Sequence, residues 1–153
     1  MNLDIIKLDM FYCETIANIL STDSRLHCSL SPNSPQAHIT AQKYYDGCKA
    51  WEKRKDGHNF IIAYHGKGIG SISYYRKNND VACCGYWLES SLWGKGFGTE
   101  AFAKFIPIIQ NVGFKYVTAN ILKENKASLL IWKKYTNDIK ESEDRYTPLI
   151  RLV

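Results

Sequence analysis

Apolar positions along this chain switch between two periods, and the switches divide it into elements. Leu3 to Leu8 reads as a strand, and from Met10 to Leu20 the residues Phe11, Ile16, Ile19 and Leu20 fall near helical spacing. Ser21 to Pro35, rich in Ser, Asn and Pro, reads as a loop leading into a helix near Gln36 to Lys53. Loops of this length commonly border a ligand site.

Asn59 to His65, Gly70 to Arg76 and Val81 to Leu88 are short β-branched and aromatic runs separated by turn signals, which predicts an antiparallel meander. Thr99 to Val112 follows as a helix that Pro107 is expected to kink or shorten, with Gly113 as its C-terminal cap. Lys115 to Leu122 reads as a strand, Asn125 to Tyr135 as a helix, and Ile139 to Ser142 and Thr147 to Leu152 as closing strands.

With 153 residues the chain fits one domain, residues 1–153. Hydrophobic residues make up 45% and charged residues 23%, and no apolar run approaches the roughly 20 residues a membrane helix needs. The first residues carry acids within their apolar pattern, unlike a secretory signal, so the expected location is the cytoplasm. Five cysteines without a CxxC pair suggest reduced thiols rather than a disulfide framework or zinc site. The four histidines, His27, His38, His58 and His65, are too dispersed to define a metal site or triad. The net charge of +5 suits a polyanionic ligand, but the basic residues are scattered among acids, which argues against nucleic acid as a partner.

The chemistry concentrates in Trp93-Gly94-Lys95-Gly96-Phe97-Gly98-Thr99-Glu100, between the run Gly85-Tyr86-Trp87-Leu88 and the next helix. Glycine tolerates positive φ, so three at alternate positions let the backbone turn tightly and bring N–H groups together. At a helix N-terminus such groups favour a phosphate or pyrophosphate. The spacing fits neither a P-loop nor the GxGxxG dinucleotide fingerprint. Gly66-Lys67-Gly68-Ile69-Gly70 repeats the pattern between two strands, where it reads as a hairpin turn. The helix that follows is what distinguishes the second copy.

In this element order, GYWLESSLWGKGFGTEA and TANILKENKASLLIWKK resemble the GCN5-related N-acetyltransferase (GNAT) superfamily, particularly the type that acetylates the N-termini of ribosomal proteins. The likeness covers most of Asn59 to Lys134. It implies an α/β (α+β) fold: a mixed, mostly antiparallel sheet with a splayed strand pair, flanked by about four helices. It also implies acetyl-CoA (coenzyme A) as cofactor, with Tyr86, Trp87, Leu88 and Glu89 meeting pantetheine and Trp93, Gly94, Lys95, Gly96, Phe97, Gly98 and Thr99 around the pyrophosphate.

Ala119-Asn120 and Asn125-Lys126-Ala127-Ser128 look like the family's AN and NxxS elements, which makes Asn125 and Ser128 implied contacts of the pantetheine arm and thiol; Asn120 and Trp132 join them as implied cofactor-binding residues. Read as residues alone, Asn125 equally suits a helix N-cap and Ser128 a helix-surface hydroxyl.

The chain departs from the family's pattern at four points. Trp93 stands where Gln or Arg is frequent, and Cys83 where many relatives carry a glutamate suited to relay a proton. Trp132 occupies the place of a helix tyrosine that protonates the thiolate, with Tyr135 nearby. Thr136-Asn137 replaces the usual Gly-Phe.

The resemblance implies direct transfer of an acetyl group from acetyl-CoA to a primary amine, on a peptide N-terminus or a small molecule. Ser128 would support the departing thiolate, and water or Glu89 would relay the amine's proton; Glu89 also reads as a solvated surface acid. The alternative is a non-catalytic acyl-CoA-binding module, motivated by Cys83 and Trp132. An acyl-enzyme on Cys83 or Cys84 is disfavoured, because adjacent strand residues point to opposite faces and no His neighbours them. Tyr44, Tyr45, Trp51, Tyr74 and Tyr75 are candidates either for an acceptor cleft or for packing. The acceptor, and whether the chain acts as a monomer or homodimer, stay open.

Overall fold

A computed structural model describes residues 1–152. Four antiparallel strands, β1 (Leu3–Lys7), β2 (Gly57–Tyr64), β3 (Lys67–Arg76) and β4 (Val81–Leu88), pair in that order, and β2 to β4 form the expected meander. Three helices, α1 (Met10–Thr22), α2 (Ser24–Leu30) and α3 (Ala41–Lys55), lie between β1 and β2 in sequence. After β4 come α4 (Phe97–Val112), β5 (Tyr116–Thr118), β6 (Ile121–Leu122), α5 (Lys126–Lys133), β7 (Ile139–Glu141) and β8 (Arg145–Arg151). The sheet order is β1-β2-β3-β4-β5-β8-β6, with β7 also on β8. Among the described residues β4 and β5 are the one parallel pair, as expected for a strand–helix–strand crossover through α4.

Strand alternation divides the core into two layers. Phe60, Ile62, Ile72, Tyr74, Ala82, Cys84 and Leu88 face α4 and α5. On the opposite face Ile61 and Ala63 join Cys13, Ile16 and Ala17 of α1 and Tyr44 of α3. The apolar face of α4 consists of Phe97, Ala101, Phe102, Phe105 and Ile109, a spacing that keeps one side of the helix on the sheet. Pro107 does not shorten this helix, which continues to Val112 with the proline on its exposed side.

The hairpin expected at Gly66 is present: His65 and Gly66 connect β2 and β3 with φ of 53° and 74°, the positive pair that a two-residue type I′ turn requires. Val81 to Leu88 forms a strand with the expected bounds.

Three local expectations are corrected. The segment Ser21 to Pro35 is not all loop, because Asp23 caps α2 by accepting the Leu26 N–H at 3.1 Å; this raises the α-helices to five. The next helix starts at Ala41 rather than near Gln36, with Thr40 as its cap. The preceding residues are held extended against the end of α1, where Ile39 N–H donates to Ser21 Oγ and Gln36 Nε2 to the Leu20 carbonyl. The strand expected over Lys115 to Leu122 divides at Ala119-Asn120 into β5 and β6, each pairing with a different part of β8.

Candidate active site

β4 and β5 pair only over Val81–Cys83 and Tyr116–Thr118. Beyond Cys83 the neighbouring strand ends at Ala119-Asn120, while β4 continues through Leu88 paired to β3 alone. The two strands therefore part, leaving one backbone edge of β4 open between the start of α4 and the start of α5.

The glycine loop supplies one wall. Gly94 and Gly96 adopt φ of 73° and 88°, and Gly96 caps α4 with no side chain bonded to the helix's first N–H groups. A Cβ at Gly94 would meet nothing within 4 Å, and one at Gly96 only Met1 Cε at 3.8 Å. Lys95 is exposed beside them, and Phe97 turns into the core while Thr99 is half-buried. Free N–H groups at a helix start, open space over two left-handed glycines and an adjacent cation make a cradle that fits a pyrophosphate.

This loop is braced by α2. The Asp23 carboxylate accepts hydrogen bonds from Ser90 N–H and Ser90 Oγ, both at 2.7 Å. Burial alone would raise the Asp23 carboxyl, but these bonds, the Leu26 N–H and the Arg25 charge outweigh it and hold the group below the usual carboxylate range. Arg25 also lies over the Trp93 ring at 5.1 Å, and Trp93 Nε1 donates to the Leu88 carbonyl at 2.9 Å. The side chain at the family's usual Gln or Arg position thus fastens the loop to β4 and α2.

On the far wall Asn125 is the N-cap of α5, its Oδ1 accepting the Ser128 N–H at 3.1 Å. Ser128 is no surface hydroxyl: it is buried, against the Tyr86 phenol. Burial raises the Tyr86 phenol above its ordinary value, and the hydrogen bond with the Ser128 hydroxyl offsets only part of this. A Cβ at Gly98 would lie 3.3 Å from the same Tyr86 oxygen, so Tyr86 spans the cleft from α4 to α5. Asn120, at the strand break, directs Nδ2 to Cys83 Sγ at 3.9 Å.

The remaining expected site residues disperse. Leu88 is buried in the α4 layer. Trp132 is 2% exposed, packed on Phe102 at 4.8 Å, and Tyr135 meets the same ring at 5.1 Å; Trp132 thus belongs to the core beneath α5. Glu89 opens into a separate cavity of about 330 Å³ with Asp23, Lys67 and residues of α1. It lies three residues beyond Tyr86, about 10 Å along the strand. Ser128 and Glu89, the two residues expected to handle protons, are not brought together.

Cys83 and Cys84 point to opposite faces, as strand alternation requires. Cys84 lies in the α4 layer, where burial pushes its thiol up. Tyr75 hydrogen-bonds to Cys83; that bond, followed by burial, pushes the phenol up to about 12.

On this second face a groove of about 500 Å³ runs between α3 and the β3–β4 floor. Of the aromatic candidates, Tyr44 and Trp51 line it, as does Trp87. Tyr75 packs edge-on against Trp51, whereas Tyr74 belongs to the opposite core layer. Tyr45 packs with the α1–α3 cluster, under Lys49. Leu30 brings the end of α2 to the groove's edge.

Sequence reasoning missed Asp23 and Arg25. The available signal was an aspartate placed as N-cap before Ser24-Arg25-Leu26, obscured by the polar composition around it.

A parted parallel strand pair beside a glycine-capped helix defines an α/β domain with an open cleft at a helix start. The chain matches the family model of the acetyltransferase (GNAT) domain over residues 13–135 and so belongs to that family, whose activity is acetyl-CoA-dependent N-acetyl transfer. Solved structures with the same fold include a YncA acetyltransferase of Salmonella typhimurium with acetyl-CoA (TM-score 0.72, 15% identity, covering 99% of this chain and 94% of that one). RimL, a ribosomal L7/L12 α-N-protein acetyltransferase with coenzyme A, gives 0.76 and 14%, covering 99% and 94%. RimJ of Mycobacterium smegmatis gives 0.74 and 18%, covering 97% and 81%. No curated protein sequence matches the chain. Among the described residues no helix is long and apolar enough to cross a membrane.

Proposed function

We propose that the protein acetylates a primary amine by direct attack, with acetyl-CoA held along the open edge of β4 and the amine arriving from the groove on the opposite face. The observation that carries this reading is the parting of β4 from β5 next to the Gly94–Thr99 cradle. Acetyl-CoA supplies the thioester acyl group when bound. The backbone of Tyr86 to Leu88 and the α4 N-terminus hold the cofactor, and Lys95 adds positive charge at the phosphates.

For transfer, the amine nitrogen must be neutral; its lone pair forms the new bond to the acyl carbon as the carbon–sulfur bond breaks. The proton released from nitrogen passes to water in the groove. Ser128, buried against Tyr86, is the group that supports the leaving thiolate by donating a hydrogen bond from its hydroxyl, and the thiolate takes up its proton from water. Because a thiolate leaves readily, positioning supplies much of the rate. Glu89, just past the end of β4, faces the separate cavity with Asp23 and Lys67, so water rather than Glu89 takes the amine's proton. With five free cysteines and acetyl-CoA as its co-substrate, the protein is assigned to the cytoplasm.

Isothermal titration with acetyl-CoA and CoA, paired with thiol release against an amine panel, tests the reading. Binding with amine-dependent release is expected. Binding without release from any amine would favour an acyl-CoA-binding module, and no binding would overturn the site.

A further inference from the structure

The groove on the second sheet face has a composition that restricts its occupant. Its walls are apolar and aromatic, with Leu30, Ile39, Trp51 and Trp87, and its floor is made of the small residues Ser71, Ser73 and Gly85. A Cβ at Gly85 would meet nothing within 4 Å, so the floor is open where a flat group would lie. The volume of about 500 Å³ is in the range of small-molecule pockets.

Charge is the sharper constraint. Lys43 lines the groove, is exposed, and makes no ion pair among the described residues. No carboxylate lines it. The acids of α3 are engaged elsewhere: Glu52 accepts the Asn59 N–H at 2.7 Å and pairs with Lys49, and Asp46 accepts from Gln42.

We propose that the acceptor is a compact, amino-acid-like primary amine with an aromatic or branched apolar body and one carboxylate that Lys43 attracts, and that polyamines are excluded. This rests on the reading of the groove as the acceptor's entrance. An apolar body removes its surface from water against Trp51 and Trp87. The same walls disfavour an ammonium, which promotes the neutral amine that attack requires. A polyamine would bring further ammonium groups to a wall without a counter-ion and beside a like charge.

The test uses phenylalanine, 2-phenylethylamine and spermidine as probes. Each is titrated into CoA-saturated protein and assayed for thiol release from acetyl-CoA. Phenylalanine is expected to exceed 2-phenylethylamine in affinity and kcat/KM by about fivefold, the worth of one partly exposed charge pair, with spermidine inert. Lys43→Glu, on an exposed helix position, is expected to invert the first two while leaving CoA affinity unchanged. Preference for spermidine, an order indifferent to Lys43→Glu, or failure of both aromatic amines to bind while CoA binds overturns the proposal and leaves the cofactor reading standing. Failure of CoA itself to bind overturns that reading instead.

Discussion

Asp23 and Ser90, 67 residues apart, are joined by two hydrogen bonds of 2.7 Å that place the N-cap of α2 directly against the entry to the cofactor loop. One carboxylate therefore both starts the helix whose far end reaches the groove and anchors the segment leading to Gly94.

Asp23→Asn is expected to lower stability by about 2 kcal/mol, the scale of hydrogen bonds to a charged group, and to weaken CoA binding by loosening the loop. The effect carries a pH signature. The bonds from Ser90 and Leu26 depress the folded-state carboxyl despite the opposing effect of burial. Its contribution is thus full above the unfolded value of about 3.9 and is lost as pH falls through the lower folded value. Urea denaturation of both proteins should show their stabilities converging in that acid window; a constant gap at all pH values would remove the charge from the explanation.

Gly66 and Gly94 form a matched pair. Their φ values are 74° and 73°, and a Cβ at either meets nothing within 4 Å. Replacement by Ala should cost each about 1–2 kcal/mol from the left-handed backbone alone. Only Gly94→Ala should also weaken CoA binding, because only that loop feeds a helix start. Thermal melts with and without CoA separate the two effects, and equal CoA shifts in both variants would dissociate the loop from the cofactor.

This pair also shows what the sequence makes legible. Identical GKGxG strings became a hairpin and a helix-capping loop because the flanking periods differ, and those periods are readable. The meander was readable in the same way, whereas the NxxS spacing stood out only through the family resemblance. The bracing of the loop was not, since Asp23–Ser90 and Arg25–Trp93 are long-range contacts made by a seven-residue helix without a strong apolar stripe. The strand break at Ala119-Asn120 also escaped, because it depends on which part of β8 each half meets. Family spacing picked out Trp132 for the site, whereas packing against Phe102 places its ring in the core.

Ser128→Ala is expected to reduce kcat about tenfold, the equivalent of one hydrogen bond to a developing charge. CoA affinity should stay within error, because Asn125 caps the Ser128 N–H and not its hydroxyl. Tyr86→Phe provides the companion measurement, since the Tyr86 oxygen is the hydroxyl's neighbour. A matching fall in kcat would assign the two to one hydrogen-bonded unit, whereas unchanged turnover in Ser128→Ala would remove it from the step.

Trp132→Tyr tests whether the residue type alone restores the tyrosine acid expected from the family pattern. The ring at this position is 2% exposed and packed on Phe102, so a phenol there would be held away from the cleft. The substitution exchanges a filled core site for a smaller ring with a hydroxyl to satisfy, at a cost of about 1–3 kcal/mol. The expected result is a lower Tm with kcat and its pH profile unchanged. A rise in kcat with a new basic limb in the pH profile would show instead that side chains at this position reach the reacting atoms, and would move Trp132 from the core layer into the chemistry.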